Sequence, residues 1–284
     1  MMKIAIIMLI HRKDEQTVRL IRYLSRDFHV FVHIDKKSSV CPEDIIDQNV
    51  YAYKELKVYW GGYSQILAVQ FLLEKAFEKR YDRYLLISGQ DLPIKSNEQI
   101  IRFFYDNDKE YISIEEKVTK GTRQKGGLDR VTKYWPNWFH RGGNLWDKYL
   151  FSLQYFLFAV YSKVSPRSTK YDFYKGPNWL NITHGCVEKI MKFLDDHPEY
   201  ISRFKWTNCA DEFFYQTIVM QLENLQIEND SLRYIDWNDV EYPKVLREED
   251  YQKLIESHCL FARKFDANID MEIINRVYRF ITTS

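Results

Sequence analysis

The sequence predicts an α/β protein built on a mixed, mainly parallel sheet with helices on both faces. Two observations carry this. Short apolar runs alternate with helically spaced segments through residues 1–116, the pattern of βαβ units. The runs are also near-continuous in Ile, Leu, Val and Phe, as strands buried on both faces require. Residues 3–10 (KIAIIMLI) form the first such run. It lacks a small-residue cleavage site, so it reads as a buried strand and not as a signal peptide. Residues 14–26 follow with helical spacing and Asp14 as N-cap. A second strand is expected at 29–35 (HVFVHID) and a third at 50–56. The stretch VYWGGYS leads into a helix over 64–80, and 83–89 (RYLLISG) is another strand. A helix at 97–107 and a strand at 109–116 complete the regular part.

From residue 117 the pattern loosens into a basic loop containing Trp and Gly, and then an apolar segment at 149–164. That segment falls short of the roughly 20 residues needed to span a bilayer. It fits two readings: a buried helix, or a helix at a membrane surface flanked by Lys148, Lys163, Arg167 and Lys170. Order returns at Trp179 with a strand, a helix at 184–197 and a helix beginning at Ala210 (ADEFFYQTIVMQL). LRYIDW, a helix near 248–257, LFARKFD and a closing helix end the chain.

Composition narrows the function. The 284 residues are 45% hydrophobic and 29% charged, enough for a sizeable core and a polar surface. The net charge of +1 points away from a nucleic-acid partner. The basic stretch 117–148 is the one local exception. Cys41, Cys186, Cys209 and Cys259 are widely spaced, with no CxxC and no His pair at zinc spacing, so they read as reduced thiols. GxGxxG, the P-loop, GxSxG and HExxH are all missing from the sequence, against dinucleotide, nucleoside-triphosphatase, serine-hydrolase and zincin chemistry. The one DxD triplet, Asp106 to Asp108, lies between a helix and a strand and reads as a solvated turn.

Ligands of parallel sheets sit at the carboxyl ends of strands, which directs attention to His11, Asp35, Trp60, Gly61 and Gly89 to Asp91. Asp35 can accept a hydrogen bond from a nucleobase or cap a turn. Asp91 can orient a ligand hydroxyl or a cationic side chain. Its stretch also fits a plain strand-to-helix turn with Ser96 capping the next helix. Asp211 and Glu212 fit either a helix first turn stabilised by the dipole or a general base facing a cleft. Arg263 and Lys264, held between Phe261 and Phe265, fit either a solvated helix start or an anion clamp.

Taken together, HVFVHIDKKS, YWGGYS, LLISGQDLPIKSNEQI, GPNWLNIT, ADEFFYQT, LRYIDW and LFARKFD resemble, in order, the core-2/I-branching glycosyltransferases. This family holds β-1,6-N-acetylglucosaminyltransferases and peptide O-xylosyltransferases. WGGYS and FARKFD resemble the xylosyltransferase side and its bacterial relatives. The resemblance implies a single GT-A domain over 1–284: a nucleotide-binding half at 1–116, a variable acceptor-side insertion at 117–178 and an acceptor and catalytic half at 179–284. It implies an inverting transfer from a UDP-sugar (GlcNAc, xylose or similar) to a saccharide or lipid-linked glycan, with no cofactor and no divalent metal. Glu212 would be the general base and Asp35 the uracil contact. Arg263 and Lys264, with Arg233, would hold the diphosphate. Asp91 and Trp179 would shape the sugar and acceptor site, and His11 would line the nucleotide pocket, with Trp60, Gly61, Asp211 and Trp237 nearby. A bacterial cytoplasmic setting in surface polysaccharide synthesis is expected, with peripheral membrane contact through 149–164.

Overall fold

The computed structural model describes residues 2–119, 127–135, 145–167, 170–237 and 243–283. Parts of the basic stretch 117–148 therefore lie outside the described residues. The chain runs β1 (Ile4–Ile10), α1 (Glu15–Leu24), β2 (His29–Ile34), β3 (Val50–Tyr53), α2 (Tyr63–Phe77), β4 (Arg83–Ser88) and β5 (Leu92–Pro93). Next come α3 (Asn97–Phe104), β6 (Glu110–Ile112), β7 (Glu116–Lys117), α4 (Leu128–Thr132), α5 (Leu145–Val164), β8 (Tyr174–Lys175) and β9 (Leu180–Thr183). Then follow α6 (His184–Asp196), α7 (Pro198–Arg203), α8 (Phe214–Val219), β10 (Ile227–Glu228), β11 (Arg233–Ile235), α9 (Tyr251–Glu256), β12 (Phe261–Arg263) and α10 (Met271–Thr283).

Among the described residues the main sheet has seven strands in the order β10-β6-β9-β4-β1-β2-β3. Strands β4, β1, β2 and β3 are mutually parallel, and β9 runs antiparallel to β4 and β6. Side chains alternate across a strand, and β1 shows why both faces need helices. Ile4, Ile6, Met8 and Ile10 pack in one apolar cluster with residues of α1, α3, α9 and α10. Ala5 and Ile7 pack in the other, with α2, α6 and α8. Local signals set the helix ends as expected. Asp14 accepts the Thr17 N–H at 2.8 Å, and Ser96 forms a capping box with Gln99 at the start of α3.

Three elements differ from their expected form. ADEFFYQT does not start one helix: Ala210–Glu212 is a 3-10 turn, Phe213 breaks it with φ −121°, and α8 begins at Phe214. Asp211 and Glu212 therefore do not sit in the first turn of an α-helix. Arg263 does not open a helix either. It ends strand β12, which pairs with β11 on one side and β5 on the other. The third is α5, longer than read and not buried. Its side chains Trp146, Leu153, Phe156 and Val160 are exposed. Among the described residues no helix is long and apolar enough to cross a membrane.

Candidate active site

The carboxyl ends of β1, β2 and β4 converge on one edge of the sheet. The Asp35 N–H donates to the Ile10 carbonyl at 2.9 Å, so the two strand ends leave together. The Asp35 carboxylate accepts from the backbone N–H groups of Lys37 (2.9 Å) and Val58 (3.2 Å) and pairs with the Lys37 ammonium at 3.3 Å. It thus caps the turn after β2. His11 is exposed just past β1. Partial desolvation, then the neighbouring Arg12, push its pKa below the ordinary value, and it also feels Asp35 and Lys264 electrostatically. The shift favours the neutral imidazole, within electrostatic reach of both the β2 end and the FARKFD segment.

That segment is stitched to the end of β4. The Gln16 side chain donates to the carbonyls of Gly89 and Phe265, both at 3.3 Å, and accepts from Ala267 N–H at 3.1 Å. The Phe265 N–H reaches the Gln90 carbonyl at 3.0 Å. Phe261 and Phe265 are both fully buried, so the segment between them is fixed to the core. The Arg263–Lys264 peptide is cis.

Asp91 organises the cations here. Its carboxylate accepts from Ser88 N–H at 2.9 Å and faces Arg233 at 3.9 Å and Arg263 at 3.5 Å. Of the two readings of Asp91, the geometry takes the one in which it orients cationic side chains. The expectation that Asp91 touches sugar gives way, because its side chain is fully enclosed. So does direct diphosphate contact by Arg233, whose side chain is 0% exposed and donates to the Leu86 carbonyl. Burial lowers its pKa to about 10, against the opposing pull of Asp91. Arg263 is 16% exposed and lies over the Trp179 ring at 4.3 Å. Trp179 is buried beneath it and so supports the cation. The Lys264 ammonium is half-buried and forms no ion pair among the described residues. Burial, then Arg263, hold its pKa below the usual lysine value.

A second cluster surrounds Glu212. Its carboxylate, 33% exposed, pairs with Arg130 of α4 at 2.5 Å. Asp211 beside it has a buried carboxyl whose pKa is pushed up to about 7, first by desolvation and then by Glu212. Gln65 of α2 donates to Asp211 at 3.1 Å and accepts from Gly61 N–H at 3.1 Å. Gly61 has φ +64°, and a Cβ there would meet the Cys209 sulfur at 3.2 Å. The glycine thus lets the WGGYS loop close onto the 3-10 turn. Trp60 itself is 74% exposed and Trp237 49% exposed.

Residues 176–179 (GPNW) join the clusters. The Gly176 N–H donates to the Glu212 carbonyl at 3.0 Å, while Trp179 carries Arg263. A Cβ at Gly176 would sit 1.9 Å from the Ser113 carbonyl oxygen, so only glycine lets the loop pass. Among the described residues no group of three or more His, Cys, Asp or Glu is placed to hold a metal ion.

A family model described as Core-2/I-Branching enzyme matches residues 4–257. The chain belongs to the Core-2/I-branching enzyme family. Xylosyltransferase 2 of Homo sapiens is 22% identical over 304 residues, covering 96% of this chain and 33% of its own length. Xylosyltransferase 1 of Pan troglodytes is 21% identical over 308 residues, covering 97% of this chain and 30% of its own. The chain thus spans about a third of the length of these curated relatives. The S. aureus TarS 1–349 crystal structure aligns at TM-score 0.41 and 14% identity, over 81% of this chain and 58% of that one. The mixed, mainly parallel sheet with helices on both faces is the GT-A arrangement expected of a Core-2/I-branching enzyme.

Reading this family member by motif missed three contributors to these clusters. Gln16, Gln65 and Arg130 each hold a site residue from a distant part of the chain. Gln65 follows directly on the WGGYS motif, a signal that was available. Arg130 lies in the insertion, where no motif marks it.

Proposed function

We propose that the chain is an inverting glycosyltransferase that moves a sugar from a UDP-sugar to a saccharide hydroxyl without a divalent metal. The observation that carries this reading is the GPNW loop, which binds the Glu212 backbone at one end and supports Arg263 at the other. Three Cα–Cα steps of 3.8 Å put its ends no more than about 11 Å apart, so one short loop ties the candidate base to the cationic cluster.

In this reading the acceptor hydroxyl oxygen attacks the anomeric carbon in line with the leaving group. A new C1–O bond forms, the C1–O bond to the β-phosphate breaks, and UDP leaves with the electron pair. Glu212 takes the hydroxyl proton. Arg130 fixes the direction of its carboxylate, and burial raises the pKa of the neighbouring Asp211 to about 7, so that Glu212 carries more of the pair's negative charge. Arg263 and Lys264 receive the charge that builds on the diphosphate, the role fixed cations fill in a water-poor site. Arg233 acts through Asp91. Asp35 and His11 face the nucleoside. The relatives' name favours xylose among the candidate donors.

The test is Glu212→Gln. It should retain UDP binding by calorimetry and lose transfer by about 10²- to 10⁴-fold. A variant that transfers at the native rate refutes the assignment of the base. UDP release with donor and acceptor present separates turnover from binding alone.

A further inference from the structure

Helix α5 uses only a narrow stripe to hold itself to the protein. Phe151, Gln154, Phe158 and Ser162 are its partly buried positions at helical spacing. The Phe158 ring lies 6.4 Å from Tyr134 and 5.5 Å from Trp206. The Ser162 hydroxyl oxygen accepts the Tyr134 N–H at 2.9 Å. The opposite side is apolar and faces solvent. Trp146, Leu150, Leu153, Phe156, Leu157 and Val160 are each 43% to 74% exposed. At about 100° per residue they fill an arc of about 120°. On one flank of that arc stand Lys148, Ser152 and Lys163, all exposed. Neither lysine forms an ion pair among the described residues.

We propose that α5 lies flat in the headgroup layer of an anionic lipid surface, with its apolar arc against the acyl chains and Lys148 and Lys163 at the phosphates. Charge complementarity favours lipid as the occupant. The arc presents no carboxylate, and its flanking cations form no ion pair among the described residues, the arrangement that binds an anionic interface. Its Trp and Phe side chains suit the boundary between headgroups and acyl chains. The helix is 20 residues long, about 30 Å of continuous face, yet no helix among the described residues qualifies as a span.

The position of α5 adds a consequence. The Trp135 N–H donates to the Trp206 carbonyl at 2.9 Å, tying the end of the α4 segment to the turn beneath α5. The Arg130 of that same segment grips Glu212. A bilayer under α5 would bring a lipid-borne acceptor to the acceptor side. Only this consequence rests on the proposed catalytic role.

The experiment is co-sedimentation of the chain with vesicles of phosphatidylcholine alone and of phosphatidylcholine with about one-third phosphatidylglycerol. Tighter binding to the anionic vesicles is expected. Phe156→Glu with Val160→Glu should lower partition by about tenfold or more, with an unchanged circular dichroism spectrum. Lys148→Ala with Lys163→Ala should weaken binding to the anionic vesicles alone and flatten its salt dependence. In the otherwise native chain, brominated lipids should quench tryptophan fluorescence less after Trp146→Phe. Failure of the native chain to bind either vesicle overturns the proposal, as does unchanged binding by the Glu pair. Self-association without lipid, dispersed by that same pair in sedimentation velocity, would assign the face to a second copy and overturn it too. The vesicle assays contain no sugar nucleotide, so their failure is distinct from failure of the Glu212 assignment.

Discussion

Asp91→Asn tests the cationic cluster at the point that holds it together. Asparagine keeps the volume and an acceptor for the Ser88 N–H, so the change removes mainly a negative charge. In the native protein that charge is shared by Arg233 at 3.9 Å and Arg263 at 3.5 Å. At an effective dielectric of about 20, a pair at this spacing is worth roughly 4 kcal/mol. Arg233 has no route to water, because its side chain is 0% exposed. It would remain as a buried charge beside Arg263, also positive. Breaking a buried pair from one side costs about 3–5 kcal/mol, a large share of the roughly 5–15 kcal/mol that holds a domain together. At about 2–4 °C per kcal/mol, the melting temperature should fall by roughly 10 °C. Urea denaturation and a thermal melt measure this. UDP titration of the folded variant should also show weaker binding, because Arg263 loses the carboxylate that orients it. A variant within about 1 kcal/mol of native stability, with unchanged UDP affinity, would refute the claim that Asp91 positions the clamp.

The remaining predictions concern single groups. Lys264→Ala should weaken UDP binding by roughly ten- to a hundredfold, the worth of a charge-assisted hydrogen bond of about 1.5–3 kcal/mol. It should cost no stability, since the native ammonium sits among cations with its pKa already lowered; unchanged UDP affinity by calorimetry would remove it from the site. Asp211 has a folded pKa raised from 3.8 to about 7. The stability it contributes is therefore complete below about pH 4 and is lost as pH rises towards 7. Asp211→Asn should flatten the slope of urea midpoints across that window, and an identical slope would show that another group titrates there. Chelation by EDTA should leave transfer within about twofold of the untreated rate if Arg263 and Lys264 neutralise the diphosphate. A strict Mn²⁺ requirement would sink that account.

The nucleotide-side half was legible because its signals are local. Apolar runs of strand length, an Asp cap at residue 14 and a Ser96–Gln99 box each declare themselves within a few residues. Asp35 and Asp91 could be placed at strand ends, but not their partners. Whether Asp91 meets a hydroxyl or a guanidinium depends on β11 and β12, which arrive more than 140 residues later in the chain. The 3-10 turn at Ala210–Glu212 escaped because ADEFFYQTIVMQL contains no Gly or Pro to mark a break. What breaks it is tertiary: Cys209 takes φ +47° where the WGGYS loop packs on it. For α5 the sequence left both a buried and a surface helix open, since an all-round apolar helix looks the same in both.

A metal-independent diphosphate site demands two things of its cations: enough net charge, and fixed positions before the ligand arrives. Two guanidiniums around one carboxylate leave the Asp91 cluster with a surplus positive charge, and Lys264 adds another. His11, pushed below its ordinary pKa by burial and by Arg12, favours its neutral form. The surplus is confined to Arg263 and Lys264, because Arg233 is enclosed. Position follows from the strand. Arg263 is hydrogen-bonded into β12 between β11 and β5, stacked on Trp179 and pulled by Asp91. A free arginine side chain gives up about 2 kcal/mol of rotamer entropy when immobilised; here that loss falls during folding and not at the moment of binding. Lys264 differs, being half-buried and in no ion pair among the described residues, so it is the cation with most to gain from a phosphate. Arg263 would then set the geometry of the clamp and Lys264 much of its affinity. Arg263→Lys, which keeps the charge but loses the planar stack and fork, should therefore reduce transfer more than it reduces UDP binding.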